Sequence, residues 1–473
     1  MRYDALPHRF AGRTAIADVR AAHEQLEAGA ESGTSYRLAG RVMARRGQGK
    51  LVFLDIEDRS GRLQLLAAVD VLADEVFGRV TGVSLGDVVG IEGEAIRTRR
   101  GELSLRVTAW ELLAPNRQPL PDTWHGLSDV EVRYRQRYLD LLMSSETREL
   151  FAVRSRAVSA FRRFLDGRGF LEVETPVLQP LYGGALARPF TTHHNELARD
   201  LYLRIATELY LKRLIVGGLE KVYELGKDFR NEGVSYKHNP EFTMLETYEA
   251  YVDYEDVMRM TEEMVAYAAQ EALGTTEIAW KGEVIDLKPP WRRLPLGAAL
   301  AGHLGFDPFA GPRDEPALRS ALVATELETG ADKTWAQLVD HALSHLIEPH
   351  LIQPTFLIDY PVELSPLSRR MPGDPSLTER FEVFCGGMEI GNGYSELNDP
   401  EEQHARFAEQ AQMGRAGDAE AHPIDDDYVN ALRYGMPPTG GLGVGIDRVV
   451  MLLTGTTSIR EVVLFPALRD RRP

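Results

Sequence analysis

The chain has 473 residues, of which 44% are apolar and 26% are charged. This balance is typical of a folded globular protein and excludes disorder over most of the length. No apolar run approaches the roughly 20 residues of a membrane-spanning helix, and the N-terminus lacks the apolar segment of a secretion signal. The single cysteine, Cys385, excludes an internal disulfide framework and a multi-cysteine metal site. We therefore expect a cytoplasmic protein with two or three domains of roughly 150 residues each.

The net charge of −17 argues, taken alone, against nucleic-acid binding, because a phosphate backbone favours Lys and Arg. The charge is unevenly distributed, however, since residues 36–114 contain 12 basic and 11 acidic side chains. The acidic excess therefore lies elsewhere, and local basic patches are expected around residues 37–50 and 133–137. The solvated surface of an ordinary barrel explains the first patch equally well.

Residues 16–114 predict a small β-rich domain. A helix around Ile16–Ala28 precedes a series of short apolar or alternating runs, and a second helix, Val71–Val80, lies between the third and fourth runs. The predicted strands are Tyr36–Met43, Leu51–Ile56, Leu63–Val69, Val88–Ala95 and Leu103–Leu112. Five strands at this spacing indicate a barrel or a sandwich. The position of the second helix is that of an OB-fold, which often binds oligonucleotides.

A proline-rich segment, Pro115–Asp122, is the best candidate for a domain boundary. The chain beyond it mixes helices and strands without a βαβ rhythm, and it has neither a P-loop nor a G-x-G-x-x-G stretch. Extended segments are predicted at Phe170–Val173 and across 354–398, and helices are predicted at Glu146–Gly167, Ala298–Leu304, Glu315–Glu326, Glu402–Met413 and Gly443–Leu453. This pattern favours an α+β fold with an antiparallel sheet over a doubly wound nucleotide-binding fold.

The first candidate motif is a strand, a polar loop and a second strand at Phe229–Tyr251. Arg230 and Glu232 are predicted to share one face of the first strand. The loop contains Lys237 and His238. An exposed hairpin with salt bridges is the alternative, although the opposite face of the second strand is not polar enough to be its sole solvent side. With a period of two, the polar face of that strand carries Phe242, Met244, Glu246 and Tyr248.

The second candidate motif is a hairpin within Arg380–Asp399, with a turn at Gly386–Gly387. This turn would bring Glu382 and Glu389 close to opposite each other. Two facing carboxylates repel unless a cation lies between them, and hard divalent ions prefer such oxygens. A charged hairpin edge is the alternative. Alternation places Asn392, Tyr394 and Glu396 on one face, out of phase with Glu389, so a β-bulge is expected at Gly391 or Gly393.

The third candidate motif is a glycine-rich strand that runs into an apolar helix at Gly440–Met451, with Asp447 and Arg448 at the junction. Glycine allows a backbone to approach a ligand closely. Such a turn is a weak signal by itself, because tight packing between a strand and a helix requires the same residue.

Together these motifs resemble the class II aminoacyl-tRNA synthetases. The resemblance rests on GFLEVETPVL at Gly169–Leu178, FRNE…HNPEFTMLE at Phe229–Glu246 and GLGVGIDR at Gly441–Arg448. Three further segments, Arg188–Gly218, His350–Arg370 and Glu389–Asp399, are similar to lysyl-tRNA synthetases of subclass IIb and bacterial type. The resemblance extends from about residue 36 to the C-terminus, in several long motifs in the expected order.

The resemblance implies an α+β fold with an N-terminal helix and five-stranded OB-fold anticodon-binding domain at 1–115, a linker at 116–140 and a catalytic domain at 141–473. The catalytic domain would be an antiparallel sheet flanked by helices, with a helical insertion at about 295–350. The implied activity is that of a homodimeric lysine–tRNA ligase, which activates L-lysine with ATP and Mg²⁺, releases pyrophosphate and transfers lysine to the 3′ end of tRNA-Lys. A specialised duplicate that activates lysine or an analogue is the alternative.

The resemblance also implies a role for each motif residue. Arg230 and Arg448 are the expected catalytic residues, and Glu382 and Glu389 are the expected Mg²⁺ ligands. ATP is expected to contact Arg230, Glu232, His238, Phe242, Glu382 and Arg448. Lysine is expected to contact Gly184, Glu208, Arg230, Glu246, Tyr248, Asn392, Tyr394 and Glu396.

In the OB-fold, the resemblance implies that Phe53, Gln64 and Glu102 contact the anticodon. An aromatic ring with polar neighbours can read an unpaired base. A position in the barrel core is the alternative for Phe53. One departure from the family pattern is Thr207, where the family usually has proline. We expect this change to alter lysine affinity or selectivity without removing a ligand.

Overall fold

The computed structural model describes residues 6–47, 49–121, 127, 129–185, 187–330, 334–415 and 423–470. The predicted boundary Pro115–Asp122, the linker at 116–140 and the insertion at 295–350 therefore lie partly outside the described residues. The chain forms two compact units, Met1–Ser128 and Asp129–Pro473. The finer division into domains at 1–115 and 141–473 stays a prediction.

The first unit is a closed five-stranded barrel with the strand order β1-β2-β3-β5-β4. Its elements are α1 (Ile16–Ala22), β1 (Glu31–Arg46), β2 (Leu51–Asp58), β3 (Gly61–Ala68), α2 (Asp74–Thr81), β4 (Val88–Arg97) and β5 (Leu103–Ala114). The period of two explains the barrel interior, since Val52, Leu54 and Ile56 of β2 are all buried. The parallel pairing of β3 with β5 closes the barrel. The predicted five strands with a helix after the third are confirmed.

The second unit is built on an eight-stranded sheet with the order β14-β15-β16-β17-β18-β11-β10-β6. Its strands are β6 (Leu171–Glu172), β7 (Leu178–Gln179), β8 (Thr191–His194), β9 (Arg199–Leu203), β10 (Lys221–Phe229), β11 (Glu241–Ala250), β12 (Glu277–Trp280), β13 (Glu283–Asp286), β14 (Arg292–Pro295), β15 (Thr355–Pro361), β16 (Leu377–Cys385), β17 (Met388–Ser395) and β18 (Thr439–Gly445). The interior pairs are antiparallel, as predicted, and the two edge pairs, β14–β15 and β10–β6, are parallel.

The helices of the second unit surround this sheet. They are α3 (Val130–Arg135), α4 (Arg137–Met143), α5 (Ser145–Gly167), α6 (Glu208–Val216), α7 (Tyr254–Leu273), α8 (Leu296–Leu304), α9 (Glu315–Ala324), α10 (Trp335–Ala342), α11 (Pro400–Arg415), α12 (Asp426–Leu432), α13 (Ile446–Thr454) and α14 (Ile459–Val462). The fold is α+β, as predicted. A π-helical turn at Leu343–Ile347 follows α10 in the predominantly helical region before β15.

The two faces of the large sheet have different chemistry because neighbouring side chains on a strand point to opposite sides. On one face, Leu245 of β11 and Leu442 and Val444 of β18 join the apolar cluster formed with α5, α7 and α13. Glu246 of β11 points to the other face, which lines a polar cavity. The same alternation thus supplies both the core and the candidate site.

Helix α13 begins at Ile446 rather than at Gly443, where the sequence pattern predicted its start. Residues 443–445 continue β18 because they still pair with β11 on one side, where Glu246 lies opposite Gly443. Asp447 in the first turn of α13 is buried and accepts hydrogen bonds from the Thr243 backbone N–H (2.7 Å) and from Arg154 Nη1 (2.6 Å). These bonds connect the helix to β11 and α5.

A buried indole supports the turn between β16 and β17. Trp280 is 1% exposed, and its Nε1 donates a hydrogen bond to the Gly386 carbonyl oxygen at 2.9 Å. Gly386 and Gly387 have φ values of 63° and 72°, a left-handed conformation that glycine adopts readily. A Cβ at Gly386 would lie 2.8 Å from Trp280 Nε1. Packing and hydrogen bonding therefore both depend on this contact.

We expect Trp280→Phe to lower the free energy of unfolding of the second unit by about 3 kcal/mol. The substitution leaves the buried Gly386 carbonyl without its donor and opens a small cavity. Chemical denaturation followed by circular dichroism measures the change. Glu283→Gln, at the exposed position opposite Trp280 in the β12–β13 pair, is the control and should leave the midpoint unchanged. Equal midpoints for Trp280→Phe and the unsubstituted chain would contradict this expectation.

Candidate active site

A cavity of about 560 Å³ opens over the polar face of the large sheet. Strands β11, β16, β17 and β18 line it, together with the loop between β10 and β11 and the start of α6. All of the site residues predicted in the second unit line this cavity: Gly184, Glu208, Arg230, Glu232, His238, Phe242, Glu246, Tyr248, Glu382, Glu389, Asn392, Tyr394, Glu396 and Arg448. The structure therefore brings residues that are up to 264 positions apart, from Gly184 to Arg448, into one site.

The period-two pattern of the second strand of the first motif is confirmed. Phe242, Met244, Glu246 and Tyr248 of β11 all line the cavity. The Arg230 guanidinium carbon lies 5.1 Å from the centre of the Phe242 ring, within the range of a cation–π contact. An aromatic ring and a guanidinium therefore lie together at this part of the cavity.

The prediction that Arg230 and Glu232 lie on a strand is wrong. Strand β10 ends at Phe229, which pairs with Glu241. The Arg230 N–H still donates to the Pro240 carbonyl oxygen at 2.9 Å, but proline has no N–H to return a bond, so the ladder ends there. Both side chains nevertheless line the cavity, from the loop between β10 and β11.

His238 in the same loop lies near the positive charges of Arg448 and Lys237. Its Nδ1 lies 2.8 Å from Ser235 Oγ. Burial, together with the nearby charges of Arg448 and Lys237, lowers the pKa of His238 to about 4. The imidazole is therefore neutral at pH 7, and it can donate one hydrogen bond and accept another without adding charge to the site.

The predicted hairpin turn at Gly386–Gly387 is confirmed, and its two glutamates lie close together on one face, diagonally rather than directly opposite each other. Glu382 lies opposite Asn392, and Glu389 lies opposite Phe384. The expected β-bulge lies next to Gly391, because Val383 pairs with Gly391 whereas Phe384 pairs with Glu389. This one-residue shift changes the phase of β17, so that Glu389 and Asn392 both line the cavity.

The Glu382 and Glu389 carboxylates each contact an arginine. Arg380 Nη2 lies 2.6 Å from Glu382 Oε1, and Arg448 Nη1 lies 3.1 Å from Glu389 Oε2. Burial raises the pKa of Glu382 to about 7; Arg380 opposes this rise, and the charge of Glu389 adds to it. Two carboxylates that face the same cavity are a suitable set of oxygen donors for a hard divalent cation. Further ligands would have to come from a bound molecule, since no cluster of three or more metal-ligating side chains occurs among the described residues.

Three buried carboxylates, those of Glu208, Glu246 and Glu396, lie at another part of the cavity. Tyr394 Oη donates to Glu208 Oε1 at 2.6 Å, and Tyr248 Oη donates to Glu246 Oε2 at 3.2 Å. Burial, with the charges of Asp228 and Glu208, raises the pKa of Glu246 to about 8. A concentration of buried carboxylates of this kind is favourable only when cations compensate it.

Glycine is required at one position beside these carboxylates. A Cβ at Gly441 would overlap Glu396 Oε1 and would lie 2.7 Å from Tyr248 Cε1. The glycine-rich character of β18 thus has a local steric reason, because the Glu396 carboxylate lies directly against the strand backbone. The third motif therefore leaves room for the Glu396 carboxylate at Gly441, and it also supplies Arg448.

Thr207, the departure from the family pattern, contacts the site through its backbone. Its N–H donates to Glu246 Oε1 at 3.1 Å. Proline has no N–H and cannot make this bond. Burial raises the pKa of Glu246, and the Thr207 backbone N–H opposes that rise because it stabilises the ionised form. Threonine in place of proline therefore gives the Glu246 carboxylate one additional hydrogen-bond donor.

The sequence motifs missed several residues around the site. Lys212 is fully buried and lies one turn after Glu208 on α6, a four-residue spacing that signals an ion pair. Arg380 shares the strand phase of Glu382, which also could have indicated a contact. Tyr360, whose Oη donates to Glu382 Oε2 at 2.8 Å, and Asp340 carry no local signal, because β15 and α10 are distant in sequence.

The three predicted anticodon residues lie on the first unit. Phe53 is half-buried on β2, between the core residues Val52 and Leu54, and so points away from the barrel interior. This excludes the alternative that Phe53 is a core residue. Gln64 is half-buried on β3, and its Oε1 accepts a hydrogen bond from Ser104 Oγ at 2.9 Å. Glu102 is exposed just before β5.

Comparisons with known proteins agree with this architecture. An OB-fold nucleic acid binding domain model matches residues 36–113, and a model of class II tRNA synthetases (D, K and N) matches residues 129–469. A lysine–tRNA ligase of Roseiflexus castenholzii is 53% identical over 470 residues, which cover 99% of this chain and 95% of that protein. The lysine–tRNA ligase of Chloroflexus aurantiacus is 52% identical with the same coverage. That of Pelotomaculum thermopropionicum is 52% identical over 92% of this chain and 86% of its own length.

Among the described residues, no helix combines the length and the apolar character that crossing a bilayer requires. The family models together account for most of the chain, and the relatives align with it nearly end to end. The chain belongs to the class II tRNA synthetases of the D, K and N group and, within that group, to the lysine–tRNA ligase family.

Proposed function

We propose that this chain activates L-lysine with ATP and transfers the lysyl group to the 3′ end of tRNA-Lys. The observation that carries the proposal is the polarity of one cavity. Glu208, Glu246 and Glu396 line one part, whereas Arg230 and Arg448 line another. Lysine has two ammonium groups and one carboxylate, and ATP is polyanionic, so the two substrates match these two regions.

In the first step, a lysine carboxylate oxygen attacks the α-phosphorus of ATP and the bond to pyrophosphate breaks. Arg230 is proposed to contact both the lysine carboxylate and the α-phosphate, where negative charge builds in the transition state. Phe242 stacks on adenine, and Glu232 and His238 between them contact the adenine edge and the outer phosphates. Arg448 covers adenine from the other side or holds the γ-phosphate, since a guanidinium can stack on a ring or bind by its planar fork.

Catalysis by positioning and charge neutralisation needs no covalent enzyme intermediate. Cys385 agrees with this, because it lies in the apolar cluster on the opposite face of the sheet. Burial raises the pKa of its thiol to about 12, which keeps it protonated. In the second step, a terminal ribose hydroxyl of tRNA attacks the lysyl carbonyl and AMP leaves.

Glu382 and Glu389 are proposed to hold Mg²⁺ together with ATP phosphate oxygens. Bound there, Mg²⁺ would neutralise phosphate charge. In the present arrangement Arg380 and Arg448 compensate the two carboxylates. These arginines keep the carboxylates aligned on the cavity before the nucleotide arrives.

At the amino-acid end, Glu208 and the backbone near Gly184 are proposed to bind the α-ammonium, and Asn392 helps to hold the lysine carboxylate. Glu246 and Glu396, with Tyr248 and Tyr394, form the proposed ε-ammonium pocket. A buried ammonium needs a charged acceptor. Arginine is too long and branched for this pocket, and aspartate is repelled by it.

The first unit is proposed to bind the anticodon of tRNA-Lys through Phe53, Gln64 and Glu102, with domain limits at 1–115 and 141–473. A cytoplasmic homodimer is proposed to be the active form. Exposed Leu171, Val177 and Leu178 support a dimer, because they place apolar surface on the segment Gly169–Leu178, which resembles a synthetase motif. The relatives described above carry the name lysine–tRNA ligase, so nothing favours the alternative of a specialised duplicate.

We expect lysine-dependent exchange of pyrophosphate into ATP and charging of purified tRNA-Lys. Glu396→Gln should reduce kcat/KM for lysine in the exchange reaction by roughly 100-fold or more, because it removes a buried charged acceptor. Glu401→Gln, on the exposed surface of α11, is the control and should have no effect. If another amino acid supports exchange and lysine does not, the proposed substrate is wrong. Unchanged activity of Glu396→Gln would remove that residue from the site.

We expect Gly441→Ala to impair lysine activation as strongly as Glu396→Gln. The new methyl group overlaps the position of Glu396 Oε1 and must displace that carboxylate. ATP binding in the absence of lysine, measured by calorimetry, should change less than twofold. The control is Gly302→Ala on α8, where a Cβ meets nothing within 4 Å and the helix should become slightly more stable. Retained lysine activation would show that the pocket does not need Glu396 at this position.

We expect Glu389→Gln to increase the Mg²⁺ concentration needed for half-maximal exchange by about tenfold or more. The neutral amide is a weaker ligand for a hard cation than the carboxylate. A titration of Mg²⁺ at fixed ATP and saturating lysine measures the change. Identical titration curves for the variant and the unsubstituted chain would exclude Glu389 as a ligand.

A further inference from the structure

Lys212 is a buried cation that none of the sequence motifs explains. Its side chain is 0% exposed, and its Nζ lies 2.5 Å from Glu208 Oε1. The same ammonium forms an ion pair with Glu396, whose side chain is also 0% exposed. It lies 5.4 Å from the centre of the Tyr394 ring. Lys212 thus contacts two of the three carboxylates to which the lysine pocket is assigned.

The surroundings of Lys212 keep it charged. Burial by itself lowers the pKa of an ammonium, but Glu208 and Glu396 raise the pKa of Lys212 well above its usual value. Burial raises the pKa of Glu396, and the Lys212 ammonium opposes that rise. The Lys212 ammonium therefore favours the ionised form of Glu396, and the carboxylates favour the charged form of Lys212, in a region that excludes water.

The charges of this region can be compared with those of the substrate. Glu208, Glu246 and Glu396 contribute three negative charges when they are ionised. Lys212 contributes one positive charge, which leaves two negative charges uncompensated. The α-ammonium and ε-ammonium of lysine supply two positive charges. Binding of both substrate ammonium groups favours ionisation of the three carboxyl groups, and the region is neutral once all three are ionised.

We infer that Lys212 is a built-in counterion of the amino-acid pocket, which compensates one of its three carboxylates and so leaves one for each ammonium of the substrate. The inference rests on the proposed function. It assigns to Lys212 a positioning role: its ammonium holds the Glu208 and Glu396 carboxyl groups in place through ion pairs, without contacting the reacting atoms. A ligand with one ammonium would leave a buried carboxylate uncompensated, so the counterion contributes to selectivity for a diamino acid.

Titratable and charged groups from several elements face this cluster and contribute to its protonation. Besides Lys212, Glu208 and Glu396 they are Asp228 on β10, Glu246 and Tyr248 on β11, Arg380 on β16, Tyr394 on β17 and Tyr428 on α12. Burial raises the pKa of the three tyrosines, so their hydroxyl groups remain neutral donors. The carboxyl groups are therefore the groups that gain protons when the counterion is lost.

The test is Lys212→Met, which keeps the length and apolar character of the side chain but removes the charge. The KM for lysine in pyrophosphate exchange should rise about 100-fold or more at pH 7, whereas the dissociation constant for ATP, measured without lysine, should change less than twofold. Lys221→Met is the control, because its ammonium forms a half-exposed pair with Glu249 (2.6 Å) outside the cavity. An unchanged or lower KM for lysine in Lys212→Met would overturn the inference.

The pH dependence distinguishes a counterion from a merely structural residue. Without Lys212, a pocket carboxyl holds an additional proton that lysine must displace, so rising pH should favour binding. Between pH 6 and 8, the KM of Lys212→Met should fall up to tenfold more per pH unit than that of the unsubstituted chain. Equal slopes would overturn the inference. If the unsubstituted chain shows no lysine-dependent exchange, the proposed function itself has failed.

A measurement without substrate covers the case in which Lys212→Met folds poorly. A buried carboxyl with a raised pKa binds more protons in the folded than in the unfolded state. A protein that contains such a group, as we expect of Lys212→Met, therefore gains stability as pH falls. The melting temperature of Lys212→Met minus that of the unsubstituted chain should therefore be larger at pH 6 than at pH 8. The double variant Lys212→Met, Glu396→Gln should melt above the single variant at pH 8. The absence of both effects would overturn the inference.

Discussion

The burial of like charges is the constraint on which the site depends. Glu208, Glu246 and Glu396 are withdrawn from water close to one another, and such a cluster is unstable without compensation. The fold supplies partial compensation through Lys212 and through donors such as the Tyr394 hydroxyl and the Thr207 backbone N–H. The compensation is incomplete, which leaves the cavity prepared for a cationic ligand.

The large sheet makes this arrangement possible because it separates two environments by the thickness of one backbone. Leu245 packs into the apolar cluster on one face, whereas its neighbour Glu246 is held on the other. The rigid core of α5, α7 and α13 fixes the strands, and the strands fix the carboxylates. The Asp447 carboxylate extends this support by connecting α13 to β11. A site of this kind therefore needs a large, well-packed domain behind it.

Much of the architecture was accessible from the sequence because it follows from local periodicity. The alternation at Phe242–Tyr248 predicted which side chains share a face, and the structure agrees. The out-of-phase Glu389 predicted a β-bulge, which lies next to Gly391. Counting the charge of residues 36–114 separately was also informative, because it showed that the acidic excess lies outside the nearly neutral barrel strands. Motif resemblance added the family, which the comparisons confirm.

The failures of sequence reasoning have a common physical cause, which is that partners distant in sequence decide the outcome. Arg230 was expected on a strand, but Pro240, opposite it, cannot continue the ladder. Residue type, alternation and the glycine pattern by themselves indicated the fold class and the polar faces of three motifs, because these depend on neighbours along the chain. The resemblance to the family added further site residues, such as Gly184 and Glu208. Only the tertiary structure decided that Lys212 meets Glu396, 184 residues away. The packing of helices and strands, and not the order of residues, sets which charges share a buried volume.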